Sequence, residues 1–165
     1  MPNYSLMAKQ IEAVAEIDRD FVPVLSNAAA VLWEGLDRIN WAGFYLMDQG
    51  SLLVGPFQGK AACVRIAVGK GVCGTAVARG EALRVEDVHA FPGHIACDGA
   101  SRSEIVLPIR SGGEVVGVLD IDSPEKGRFT EEDGQGLALV VQALENVVDF
   151  SRLRLGAPTW GGSQE

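Results

Sequence analysis

Residues 104–122, EIVLPIRSGGEVVGVLDID, hold two apolar runs of strand length on either side of Gly112-Gly113, which reads as an antiparallel hairpin with a glycine turn. In its second strand Val116, Val118, Asp120 and Asp122 share one face, and Val115, Gly117, Leu119 and Ile121 share the other. Two carboxylates therefore end an apolar face. If that face is enclosed, repulsion and lost solvent leave at least one carboxyl protonated near neutrality, able to donate a hydrogen bond. The plainer reading is a strand emerging into solvent, with Asp122 opening a turn at Ser123-Pro124. Glu104 begins the first strand, opposite the end of the second, so it either joins the aspartates in a cluster of three acids or stays an exposed strand-end glutamate.

The rest of the chain supplies strands and covering helices around this hairpin. Residues 5–36 alternate at helical spacing with an interruption at Pro23, giving two helices, the second carrying Val24, Ala28, Val31 and Leu32. INWAGFYLM changes to period two, with Ile39, Trp41, Gly43, Tyr45 and Met47 on one face and Ala42, Phe44 and Leu46 on the other. SLLVGPFQG and ACVRIAVG continue as a meander of two more strands, followed by a brief helix at Gly71 to Arg79 and a short strand in ALRVEDV. From His89 to Ser103 no period holds, and an irregular stretch of that length in a compact domain is usually functional. Thr130 caps a terminal amphipathic helix running through Leu137, Val140, Val141, Leu144, Val147 and Val148. These elements define one α+β domain over 1–155, with two N-terminal helices, a largely antiparallel sheet and a C-terminal helix; 156–165, with Trp160, reads as a flexible tail.

A net charge of −8 repels nucleic acid and anionic lipid, and no stretch approaches a bilayer span or a secretory leader, so a cytoplasmic protein is expected. Three cysteines do not make a disulfide scaffold, and with His89 and His94 they form no metal-ligand spacing. Cys97 lies in the aperiodic loop among small residues, the setting of a reactive thiol that His94 or free backbone N–H groups can activate and the adjacent Asp98 opposes. Cys63 alternates with Ala62 and Val64, and Cys73 shares a helical face with Val77; taken alone, both fit buried core cysteines. Trp41 and Tyr45 either wall a small pocket, with Gly43 supplying the space between them, or belong to ordinary core.

Taken together, INWAGFYL, GPFQGKAACVRI, GKGVCGTA, EDVHAFPGHIACDGASRSEIVLPI, GVLDIDSP and GRFTEEDGQGL resemble the GAF-domain free methionine-(R)-sulfoxide reductases, from the second helix into the last. The resemblance implies a single GAF domain, commonly a homodimer. It makes Cys97 the nucleophile that attacks the sulfoxide sulfur of free methionine-(R)-sulfoxide and is left as sulfenic acid. Cys63 would be the resolving thiol whose disulfide thioredoxin reduces, and Cys73 an auxiliary or alternative thiol. Glu104, Asp120 and Asp122 match the acids of the substrate pocket, and Trp41 with Tyr45 the aromatic pair near the substrate methyl group. Gly99 stands where the family is expected to have alanine, which implies a looser loop beside Cys97.

The chemistry is consistent with that resemblance. A sulfoxide accepts a thiolate once its oxygen is protonated or strongly hydrogen-bonded, ionised acids suit a free ammonium, and sulfenic acid condenses reversibly with a second thiol. No metal or bound organic cofactor is needed. A ligand-binding GAF sensor would share the fold without needing the loop cysteine and acids, a redox sensor would not need the pocket, and a Cys97–His94 hydrolase lacks an orienting group.

Overall fold

In the computed structural model, which describes residues 1–95, 97 and 99–156, four α-helices and six strands follow one another along the chain. They are α1 (Tyr4–Ile17), α2 (Phe21–Gly35), β1 (Trp41–Asp48), β2 (Ser51–Gly59), β3 (Arg65–Ala67), α3 (Gly71–Arg79), β4 (Leu83–Val85), β5 (Ser103–Ser111), β6 (Glu114–Ser123) and α4 (Glu131–Val147). Positions 157–165, the bulk of the expected tail, lie outside the described residues. The sheet runs β3-β2-β1-β6-β5-β4, every pair antiparallel, so two meanders meet where β1 pairs with β6.

The two periods of β1 separate the two faces of the sheet. Ala42, Phe44 and Leu46 pack with Leu107, Leu119 and Ile121 under α1, α2 and α4, while Trp41 and Tyr45 pack with Val106, Val118 and α3 on the opposite face. Val116 departs from the alternation read in the sequence. A register shift between Ile109 and Arg110 on β5 breaks the pairing with β6, and Val116 joins the helical face although Val118 lies on the other. The helix break also falls elsewhere than expected: α1 ends before Asp18, and Pro23 sits in the first turn of α2, where proline costs no helical hydrogen bond.

On α4, Gly136 leaves room for the Tyr4 ring of α1, and the Tyr4 hydroxyl donates to Asp133 at 2.6 Å. Thr130 and Asp133 close a reciprocal capping box at the start of α4. Thr130→Ala is expected to destabilise the fold by about 1 kcal/mol, measured by denaturant melts, with the second-face residues unaffected.

Candidate active site

Hairpin register sets Glu104 opposite Asp122, and β1 places Trp41 beside Asp122 and Gly43 beside Asp120. The structure thus brings the three acids together under the second face. The three carboxyls lie close enough for each to act on the ionisation of the others. Lost solvent pushes all three carboxyls well above their ordinary range, and the charge of a neighbouring carboxylate adds to the effect. Asp122 also accepts from Ser101 Oγ at 3.3 Å, and Ser101 in turn accepts from Asn40 Nδ2 at 3.0 Å. Asp120 Oδ1 and Asp122 Oδ1 are buried with no ordinary donor among the described residues, so a retained carboxyl proton or a ligand must satisfy them.

Cys63 and Cys97 are joined as a disulfide, with Cα atoms 5.4 Å apart. Cys63 lies ahead of β3 and not within a strand, contrary to the alternation read in the sequence. The cause is tertiary: the Tyr45 hydroxyl donates to the Cys63 carbonyl at 3.1 Å, and Trp41 Nε1 to the Lys60 carbonyl at 3.2 Å. Two side chains of β1 thereby hold the segment that carries the thiol.

Cys73 is buried on α3, with Sγ 3.8 Å from Glu104 Oε2. Burial, then the surrounding acids, raises its thiol pKa, keeping it protonated and a poor nucleophile. Cys73 Sγ and one oxygen each of Glu104 and Asp120 lie within 4.8 Å of one another, donors that could hold a metal ion only after losing the protons that burial retains.

The aromatic wall differs from the expected open gap. A side chain at Gly43 would collide with Phe57, whose ring stacks on Trp41 at 5.0 Å, so Gly43 accommodates Phe57 instead of a ligand. Trp41 also stacks with Tyr45 at 5.7 Å. His94 lines the cavity, but burial and the nearby His89 lower its pKa, leaving it neutral and without the charge that would help a thiolate at Cys97. A Cβ at Gly99 would meet empty space, so glycine relieves no clash at that position.

A cavity collects these groups: the acids form one part, Cys97 of the disulfide another, and Trp41, Tyr45 and the first turn of α3 the remainder. Of the lining residues, Ser101, Lys70 and Val72 carry no signal in the sequence: Ser101 stands in an aperiodic loop, and Lys70 and Val72 flank the glycine that opens α3.

Residues 18–149 match the GAF domain family, and fold and site together define a GAF-domain protein with a thiol pair beside an acidic cavity. The chain is 55% identical to the free methionine-R-sulfoxide reductase of Escherichia coli over 145 residues, 88% of each chain. The reduced form of fRMsr of Staphylococcus aureus superposes with a TM-score of 0.86 at 48% identity, over 90% of this chain and 97% of that one. The free methionine-R-sulfoxide reductase of Neisseria meningitidis, solved in complex with its substrate, gives 0.83 at 46% identity, over 87% and 86%. The chain belongs to the free methionine-R-sulfoxide reductase family, oxidoreductases built on the GAF fold. Among the described residues no helix is long and apolar enough to cross a membrane.

Proposed function

We propose that the protein reduces free methionine-(R)-sulfoxide to methionine with Cys97 as nucleophile. The observation that carries this reading is the meeting in one cavity of Cys97, bonded to Cys63, with three buried, proton-retaining carboxyls. In the reduced protein the Cys97 thiolate attacks the sulfoxide sulfur, forming an S–S bond to the substrate, while a carboxyl gives its proton to the oxygen. The protonated oxygen then passes to Cys97 sulfur as the substrate's S–O bond and the new S–S bond break; methionine leaves with two more electrons on sulfur, and Cys97 holds the oxygen as sulfenic acid. The Cys63 thiolate then attacks Cys97 sulfur, expelling hydroxide that leaves as water, and the disulfide forms. A dithiol protein, thioredoxin, restores both thiols by two exchange steps and takes the disulfide.

Ionised members of the acid set neutralise the substrate ammonium, and Trp41 and Tyr45 lie against its methyl group. This chemistry calls for no bound cofactor, and the proposed setting is the cytoplasm, where thioredoxin keeps thiols reduced. The proposed assembly is a homodimer; Leu6, Trp33 and Leu139, exposed on the helical layer, offer apolar surface for a second copy.

Reduced protein mixed with the free R epimer, without added reductant, is expected to release about one methionine per protein. The S epimer and an N-acetylated, amidated R sulfoxide are expected to give little. Equal rates on the blocked substrate would contradict ammonium recognition, and no methionine from the free R epimer would overturn the proposed reaction.

A further inference from the structure

The segment that carries Cys63 lies between β2 and β3 at the outer edge of the sheet, and β3 runs only from Arg65 to Ala67. A strand that short has few ladder bonds to hold it. Among the described residues β1 adds a hold at three points: Trp41 on the Lys60 carbonyl, Tyr45 on the Cys63 carbonyl, and Asp48 on the Arg65 side chain. The third differs from the other two, because neither Asp48 nor Arg65 is among the described residues that line the cavity.

Arg65 reaches from β3 to the β1–β2 turn. Its Nη1 donates to the Asp48 carbonyl at 3.0 Å and to Ser51 Oγ at 2.9 Å, and its Nη2 donates to Asp48 Oδ2 at 2.7 Å. Asp48 is buried, and the bond from Arg65 holds its carboxyl below the usual range, so the pair stays charged wherever thiols react. The other oxygen of Asp48 accepts from Arg154 Nε at 3.0 Å, and the Gln49 N–H donates to the Arg154 carbonyl at 2.6 Å. The chain beyond α4 is therefore tied to the same turn. An anchor two residues from Cys63, fixed to a turn that is itself tied down, leaves that thiol little freedom once the disulfide is opened.

We propose that Asp48 and Arg65 are positioning residues for the resolving step: their ion pair keeps Cys63 within reach of Cys97 while the two sulfurs are unbonded. This assignment rests on the reading of Cys63 as the thiol that resolves the Cys97 sulfenic acid, and adds what holds it ready. In that step the Cys63 thiolate bonds to Cys97 sulfur, the S–O bond breaks, and the oxygen leaves as hydroxide that takes a proton to become water. Its rate depends on how often the two sulfurs meet. Attack of Cys97 on the sulfoxide makes no demand on β3. The same restraint favours the closed disulfide over the two thiols, because less freedom is lost on closure.

The test compares Arg65→Gln, Asp48→Asn and Arg154→Gln with the wild type in three measurements on the full chain. The first is the rate of methionine release in one turnover of reduced protein. The second is the rate of disulfide closure after that turnover, followed as loss of dimedone-reactive Cys97, and the third is the dithiol–disulfide equilibrium against glutathione. Arg65→Gln and Asp48→Asn should leave the first turnover near the wild-type rate. Both are expected to slow closure roughly 10-fold and to lower the equilibrium constant for the disulfide by a similar factor, a rise in reduction potential of about 30 mV, the scale of one charge-assisted hydrogen bond. The two should move together, whereas an effect of charge on the Cys63 thiol would move them in opposite directions. Arg154→Gln keeps the Asp48–Arg65 pair and should leave closure and equilibrium at wild-type values. The assignment is overturned if Arg65→Gln closes the disulfide at the wild-type rate or leaves the equilibrium unchanged, or if its first turnover slows as much as closure. It is also overturned if Arg154→Gln matches Arg65→Gln in closure, or if Asp48→Asn and Arg65→Gln shift closure in opposite directions. Should Asp48→Asn fail to fold by thermal melt, Arg65→Gln, at a half-exposed side chain on the edge strand, decides. If the wild type releases no methionine, the reductase reading fails on its own; the glutathione equilibrium needs no turnover and still decides whether the pair positions Cys63.

Discussion

Cys97→Ser protein is expected to release no methionine from free methionine-(R)-sulfoxide, even in a single turnover at high protein concentration. A serine hydroxyl in that position is neutral near pH 7 and a far weaker nucleophile toward sulfur than a thiolate. Cys63→Ser should behave differently: the first turnover stays near stoichiometric, and the thioredoxin-coupled cycle falls to a small residue. Cys73 cannot replace it efficiently, because its thiol is buried, held protonated by the surrounding acids and engaged with Glu104. Quench-flow measurement of methionine per protein, with and without thioredoxin, separates the two roles. Appreciable single-turnover release by Cys97→Ser would remove Cys97 as nucleophile.

Replacing a pocket acid should have the next largest effect. Glu104→Gln and Asp122→Asn are each expected to lower the first-turnover rate on the order of 10²–10⁴-fold, the range general acid catalysis supplies, with substrate binding kept better than rate. Asp120→Asn should cost less, consistent with a supporting place between the other two carboxyls and Cys73. The wild-type rate should rise with pH as Cys97 ionises and fall as the carboxyl set loses its last useful proton, both limbs belonging to coupled groups. Stability gives an independent readout. Because the folded carboxyl pKa values are raised, the folded protein holds more protons than the unfolded chain. Stability is then fully present below the unfolded carboxyl range and is lost as pH rises through the folded values. Glu104→Gln should flatten that loss. If all three amides keep the wild-type rate and pH profile, the acid cluster plays no part in proton donation.

The sequence by itself determined the elements and their faces wherever a single period governs. The alternation in β1 places Phe44 in one core and Trp41 with Tyr45 in the other, and Gly112-Gly113 pairs β5 with β6; the register shift between Ile109 and Arg110, which the alternation does not announce, is what sets Glu104 opposite Asp122. Such features need only local geometry, since side-chain direction repeats every two residues in a strand and a tight turn pairs the strands that flank it. Only the tertiary structure decided whether the acids face solvent or a cavity, because the β1–β6 pairing and the cover of α3 come from residues distant in the chain. The same holds for Cys63, which alternation placed in a strand and which the hydrogen bond from Tyr45 holds outside one. The N-terminus of α3, where the Lys70 side chain makes no capping bond, was least legible of all, since it consists of backbone N–H groups that every residue but proline carries, and which of them find acceptors among the described residues is decided only when the chain has folded around them.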